Sequence, residues 1–432
     1  MRRLPPALLL PAVILGLSSG PIGGHAWASP TDPPSAARRP AVSATPATTA
    51  RAAETRQITD AAWDGGSQWR TGRKNGVRVR KGALVLAKPT RSRRTGGTTY
   101  DVGQWTSPWT SPGFSLTELI ASWQAATPRN SWIEVRVRGR VNGVRSSWDI
   151  LGRWAETTRW FRRTSVSGQG DDLADVAVDT WRVPGAGAAT YQVQVRLMRR
   201  AGKNTASPSV DSLHAVATRL PSGTPATSKP GKAAKAGGIT LAVPKYSQMI
   251  HTGHSPQYGG GGEAWCSPTS TAMVLGYYDS LPTPASYAWV GSGHTDPWVD
   301  AAALGTYDRD YEGAGNWPFN TAYAATLTDD AFVTRLASLR AAERYLATRI
   351  PLVVSISFGR GDLDGAPISS TAGHLLVIVG FTAGGDVVVN DPASSNRRGV
   401  RRTYDRAQFE AAWLDGSGGL TYVIHDDAHP LP

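Results

Sequence analysis

Residues 221–238 of the 432-residue chain read PSGTPATSKPGKAAKAGG and contain no Val, Ile, Leu, Met, Phe, Tyr or Trp. A stretch without side chains that can fill a core cannot be the middle of one domain, so it predicts an interdomain linker over 221–239. Charge divides at the same place. Lys and Arg number 34 against 14 Asp and Glu before residue 240, and 12 against 19 from there on, which is +20 and −7 within a net +13. Two halves of opposite sign point to two units with different partners.

Ahead of both units, residues 1–28 carry Arg2 and Arg3, an apolar run from Leu8 to Leu17, and Ala26-Trp27-Ala28 at the end. This is the pattern of a secretory signal peptide with an A-x-A cleavage site, and the arginine pair suits either general or twin-arginine export. Residues 29–56, rich in Pro, Ala, Ser and Thr, predict a disordered spacer. No later window offers about 18 consecutive apolar residues, so the mature chain is expected to be secreted, without a transmembrane segment, with cell-wall association left open.

The first unit, 57–220, has a period of two. In SWIEVRVRGRV, Ile133, Val135, Val137 and Val141 share one face while Glu134, Arg136, Arg138 and Arg140 share the other; TYQVQVRLMRR turns Tyr191, Val193, Val195 and Leu197 inward. Such alternation predicts half-buried antiparallel strands. Further strand-like runs near 77, 116 and 146 are separated by turn residues, so this unit is expected to be an all-β sandwich of jelly-roll type. Eleven of the sixteen tryptophans lie in the first half of the chain, ten of them in this unit. Trp123, Trp132, Trp148, Trp154, Trp160 and Trp181 either fill the core or stack on sugar rings, and core filling is the commoner fate. The arginine rows either form a solvated face or meet an anionic cell-envelope polymer.

The second unit, 240–428, changes character. SPTSTAMVLGYYDS predicts a helix, and DDAFVTRLASLRAAERYLATR predicts another, with Phe332, Leu336, Leu339 and Leu346 near one face. PLVVSISF, GHLLVIVGF and GDVVVNDP predict strands, the last two joined by a turn at 382–385. Helices followed by antiparallel strands make an α+β domain.

Cys266 is the only cysteine. An unpaired thiol in an exported chain is a buried hydrophobe, an intermolecular bridge or a reactive group. Its place at the head of a helix favours the last, because the helix N-terminus stabilises thiolate. A thiolate nucleophile also needs a base. His374 opens the apolar strand HLLVIVGF, and the returning strand ends at Asp391, so a hairpin sets imidazole beside carboxylate in triad order. The backbone N–H of Cys266 and the side-chain amide of Gln248 are candidate oxyanion donors. His251 and His254 have H-x-x-H spacing but no third ligand near in sequence, and Asp308, Asp310 and Glu312 in DRDYEG lack full calcium-loop spacing. No metal and no cofactor is expected. Asn316 and Trp317 in GNWPFN line a cleft or form a structural turn.

VPKYSQ, WCSPTSTAMVL, GHLLVIVGF and VVVNDPA together resemble the bacterial cysteine peptidase family 39, whose founders process double-glycine leader peptides and share the papain-like fold. The resemblance covers about residues 240–428, and exported actinobacterial members with a segment like GNWPFNTAYAA look closest. It implies Cys266 as nucleophile, His374 as general base and acid, Asp391 as orienter and Gln248 as oxyanion donor. Ser267 stands where the family often has glycine, and the interval from Gln248 to Cys266 is longer than in the founders. The founders' membrane spans and nucleotide-binding unit have no counterpart in this sequence, so cytoplasmic leader processing is not expected. The reading is an exported cysteine peptidase acting on protein or peptide through a thioester, with no nucleic-acid partner. Open beside it are a cell-wall amidase or transpeptidase with the same triad, and a non-catalytic envelope- or carbohydrate-binding module.

Overall fold

In the computed structural model, residues 55–432 are described apart from 90, 203–206 and 224; the expected signal peptide and all but the last two residues of the spacer lie outside the described residues. Residues 57–219 form two antiparallel seven-stranded sheets. One runs in the order Asp175–Ala177, Thr180–Arg182, Glu118–Ala126, Ser209–Arg219, Ala83–Leu86, Val77–Arg80, with Gln57–Asp64 also paired to Ser209–Arg219. The other runs Asp149–Trp154, Ser131–Val141, Thr190–Arg200, Thr98–Thr106, Arg73–Asn75, with two short strands added beside it. Ile133, Val135, Val137, Val193, Val195 and Leu197 enter one shared core, as the period of two requires.

The opposite face departs from a plain solvated surface. Glu134 is fully buried, its carboxylate ringed by Arg93 at 2.9 Å, Arg153 at 3.0 Å, Arg196 at 3.5 Å and Arg136 at 3.8 Å. One carboxylate cannot balance four guanidiniums, so the face stays basic. Trp123, Trp132, Trp154 and Trp181 are buried, whereas Trp160 is 44 % exposed. Trp148 does neither job alone: it sits in a ladder in which Arg138 lies 4.4 Å from the Trp148 ring and 5.2 Å from the Trp109 ring, and Arg140 lies 4.1 Å from Trp109. A cavity of about 500 Å³ opens beside it, lined by Arg73, Arg138, Arg145, Trp109 and Gln192.

Residues 330–335, expected as the first turns of a helix, instead form a strand, and the helix spans only Leu339–Ala347 behind the Ser338 cap. Ala331 to Arg335 are all buried, so the strand lacks the alternation that separates strand from helix. It begins an antiparallel sheet ordered Asp330–Arg335, Leu420–His425, Leu352–Phe358, Thr371–Phe381, Val387–Asn390, Arg401–Tyr404. The helix Cys266–Tyr277 packs against Thr371–Phe381. Residues 267–275 of this helix are buried, and three of its four small hydroxyl residues are satisfied there: Ser270 donates to the Leu375 carbonyl, Thr271 to Asn320, and Ser267 pairs with the Tyr422 hydroxyl, while the Thr269 hydroxyl has no partner among the described residues. Among the described residues no helix is long and apolar enough to cross a membrane.

The stretch expected as a linker is docked: Ala234, in the short helix Lys232–Lys235, is fully buried in the core, and the backbone ahead of it is bonded as well. Ser228 N–H donates to Glu410 at 2.6 Å, Gly231 N–H donates to Glu343 at 2.7 Å, and Arg406 donates to the Ser228 carbonyl at 2.6 Å. A Cβ at Gly231 would stand 2.3 Å from a Glu343 oxygen, so small residues are what let the backbone approach.

The two units share a large contact. Phe319, from the helix Trp317–Ala324, is fully buried among Trp123 and Trp154 of the first unit's core. Phe332 stacks on His214 with centroids 4.7 Å apart, and Arg335 meets Glu118 at 2.7 Å. Arg163, 1 % exposed, donates to the carbonyls of Leu304 and Tyr307 at the end of the helix Pro297–Thr306. Phe319→Ala removes the ring that joins both cores and is expected to destabilise the chain by about 3–5 kcal/mol. Urea unfolding followed by tryptophan fluorescence measures this; a loss under about 1 kcal/mol would show that the cores are independent.

Candidate active site

Three sequence candidates come together. The helix Cys266–Tyr277 begins at the cysteine itself, and Trp265 ahead of it supplies no side-chain cap, so the first-turn N–H groups are free to face a thiolate. His374 enters from the strand Thr371–Phe381, which pairs with both Leu352–Phe358 and Val387–Asn390 and is therefore interior to the sheet. Asp391 follows directly after the last of these strands. Its Oδ1 lies 2.8 Å from His374 Nε2, which leaves Nδ1 as the ring nitrogen for the thiol of Cys266. His374 and Asp391 are buried and Cys266 is half-buried, so Cys266 is the most exposed residue of the set.

The charges are arranged to favour an ion pair. Burial pushes the Cys266 thiol up, but the His374 hydrogen bond and charge, with N–H donors from Leu375 and Ser267, outweigh it and bring the thiol below its ordinary value. Burial would likewise lower His374, yet the Asp391 charge and hydrogen bonds from Asp391 and Cys266 raise it to about 10. Asp391 is also buried, which raises a carboxyl; the His374 charge and donors from His374, Tyr404 and the Ala393 N–H hold it below the usual carboxylate range instead.

Tyr404 was not singled out from sequence. Its hydroxyl donates to Asp391 Oδ2 at 2.8 Å, so both carboxylate oxygens are held and the ring of His374 has one orientation. Nothing in the polar run RRTYDR marks this tyrosine as buried, so the sequence offers no signal for it.

Gln248 is near but engaged. Its backbone N–H donates to the carbonyl of Pro392, next to Asp391, and its Nε2 donates to the Glu263 carbonyl at 2.7 Å, three residues before the cysteine. The second Nε2 hydrogen remains for a ligand oxygen. The four glycines between these points have distinct jobs: Gly259, Gly260 and Gly261 adopt φ of +82°, +97° and +107°, and a Cβ at Gly262 would lie 2.2 Å from the backbone of His251.

Neither acidic segment nor turn forms a second site. Asp308 accepts from Ser165 N–H and Asn316 Nδ2, and Asp310 accepts from Ser167 N–H, so these carboxylates bind backbone of the first unit. Asn316 caps the helix Trp317–Ala324 by accepting from Phe319 N–H.

Comparison with protein families matches residues 59–218 to the Peptidase C39 N-terminal domain and residues 240–419 to the Peptidase C39 like family. The chain is a C39-like cysteine peptidase family protein. Comparison with curated proteins returned no match. The family's second match spans Cys266, His374 and Asp391, and its first spans the Trp–Arg ladder.

Alkylation of Cys266 by iodoacetamide should show an acid limb below the ordinary thiol value of about 8.5. His374→Ala should move that limb up, since burial is then opposed only by the Leu375 and Ser267 N–H groups. An unchanged profile would mean that the imidazole does not set the thiol's ionisation.

Proposed function

We propose that the chain is an exported cysteine peptidase, with a jelly-roll-type first unit and a papain-like second unit, that hydrolyses peptide bonds through Cys266, His374 and Asp391. The single observation carrying this is the line of thiol, imidazole and doubly held carboxylate, with the sulfur seated on the first turn of a helix. The thiolate attacks the scissile carbonyl carbon, and the carbonyl π electrons move onto oxygen. The Cys266 N–H and the free Nε2 hydrogen of Gln248 receive that oxyanion. The His374 imidazolium gives its proton to the leaving amine as the C–N bond breaks, leaving a thioester. Neutral His374 then takes a proton from water, whose oxygen displaces the sulfur and restores the ion pair.

On a cleavable peptide library, Cys266→Ala is expected to lower kcat/KM by about 10⁴-fold or more, and Asp391→Asn by about 10³-fold or more. Wild-type hydrolysis left intact in Cys266→Ala would remove the proposal. The pH profile should be bell-shaped. Activity rises as the thiol with its lowered pKa deprotonates, and falls on the alkaline side as His374, raised to about 10, loses its proton.

For the first unit we infer an anionic cell-envelope polymer as partner. Arg73, Arg138, Arg140 and Arg145 have no acidic partner among the described residues; Arg138 and Arg140 lie over the Trp109 and Trp148 rings, and Arg73, Arg138 and Arg145 line the cavity. Such a partner would hold the peptidase at the wall, close to wall peptides as substrates. The full chain should bind purified cell wall at low salt and release at high salt, and Arg138→Glu with Arg145→Glu should abolish retention. Equal retention of that double variant would overturn the assignment.

A further inference from the structure

The H-x-x-H pair that lacked a third ligand in sequence gains one in space. His251 Nδ1 lies 3.0 Å from Asp300 Oδ2, and His254 Nδ1 lies 3.2 Å from Asp300 Oδ1. One donor atom from each residue falls within 4.8 Å of the others. Asp300 comes from the first turn of the helix Pro297–Thr306, 46 residues beyond His254, which is why spacing did not reveal it. We propose that His251, His254 and Asp300 bind a divalent metal ion of the zinc type, which staples the turn carrying Gln248 to that helix.

Four features support the assignment. Two imidazoles and a carboxylate are a donor set that borderline ions such as zinc favour. Bond lengths of about 2.0–2.1 Å around a tetrahedral ion put donor atoms about 3.3 Å apart; each imidazole has its Nδ1 3.0 or 3.2 Å from one oxygen of Asp300, and a donor atom from each of the three residues lies within 4.8 Å of the others. Asp300 is 1 % exposed with no Lys or Arg partner among the described residues, and a buried carboxylate calls for a compensating cation. His254 Nε2 lies 3.0 Å from His294 Nδ1; a His254 that binds metal through Nδ1 would donate its other N–H there, as ligating histidines do to an outer partner.

The surroundings suit a staple. His251 ends the turn that starts at Gln248 and is fully buried, with its ring 6.1 Å from that of Trp265, the residue before Cys266. His254 is partly exposed, with a side-chain exposure of 22 %, and provides the way in for the ion. Three protein donors leave a fourth position for solvent.

The test uses the untagged full chain carrying Cys266→Ala, so that the thiol offers no ligand and the peptidase reading plays no part in the result. After chelator treatment and dialysis, titration with Co²⁺ should give the visible bands of a four-coordinate ion at one equivalent, displaced by Zn²⁺, with a rise in Tm. His254→Gln and Asp300→Asn should each weaken Co²⁺ binding at least about 10-fold. Should Asp300→Asn fail to fold, His254→Gln at its more exposed position decides. Absence of the bands, or undiminished affinity in His254→Gln, overturns the proposal.

Discussion

The fully buried carboxylate of Asp308 is the interaction on which the relation of the two units depends. It accepts the Ser165 N–H of the first unit at 2.8 Å and, within its own loop, the Asp310 and Tyr311 N–H groups and Asn316 Nδ2. Burial raises its pKa despite these donors, so the donors are needed to keep the site at all. A buried carboxylate stripped of such donors would cost several kcal/mol, which makes the first unit a structural condition for the loop 308–316. Arg163 acts in the same sense with opposite charge. It gives its protons to carbonyls at the C-terminus of the helix Pro297–Thr306, where a cation is favoured, and that helix carries Asp300 in its first turn.

This bracing reaches the thiol through close packing. A Cβ at Gly259 would lie 3.0 Å from Gly313 Cα and 3.2 Å from the Ala314 nitrogen, so the glycine segment ahead of Cys266 rests directly on the loop that Asp308 organises. Ser165 and Ser167 of the first unit, the 308–316 loop and the glycine segment ahead of Cys266 form a continuous stack of contacts. The docked stretch around Ser228 and Gly231 adds a second tie through Glu343, Glu410 and Arg406. The first unit is thus placed to hold the geometry of the proposed nucleophile as well as to meet a partner of its own.

Local pattern carried much of this structure. The strands at 131–141 and 190–200, the helix at Cys266 and the hairpin that joins His374 to Asp391 were legible because each rests on period, capping position or turn chemistry within a few residues. What was hidden depends on long-range partners. The strand Asp330–Arg335 exists because Leu420–His425 pairs with it and the first unit covers it, and its fully buried pattern looks the same as a helix. Asp300 and Tyr404 were invisible because nothing near them in sequence shows that one faces two histidines and the other a carboxylate. The acidic residues of DRDYEG look like cation ligands in isolation; only the fold shows that their partners are N–H groups some 140 residues away.

The polar set at the proposed active site is arranged from the outside inwards. Tyr404 and the Ala393 N–H favour the ionised form of Asp391, and that charge in turn favours imidazolium at His374. Imidazolium then offsets the cost of a thiolate that burial alone would suppress. Each group is shifted against its own desolvation by the next one out, and the outermost donors are a phenol and a backbone amide that do not titrate in the working range. The consequence is that the thiolate's stability does not depend on a single neighbour. It depends on a chain of three hydrogen bonds that starts on the strand Arg401–Tyr404, at the far end of the sheet from the strand contacting the first unit. Contact with the first unit and ionisation of the proposed nucleophile are therefore set from opposite edges of one sheet, with Cys266 half-buried at the start of a helix packed on that sheet.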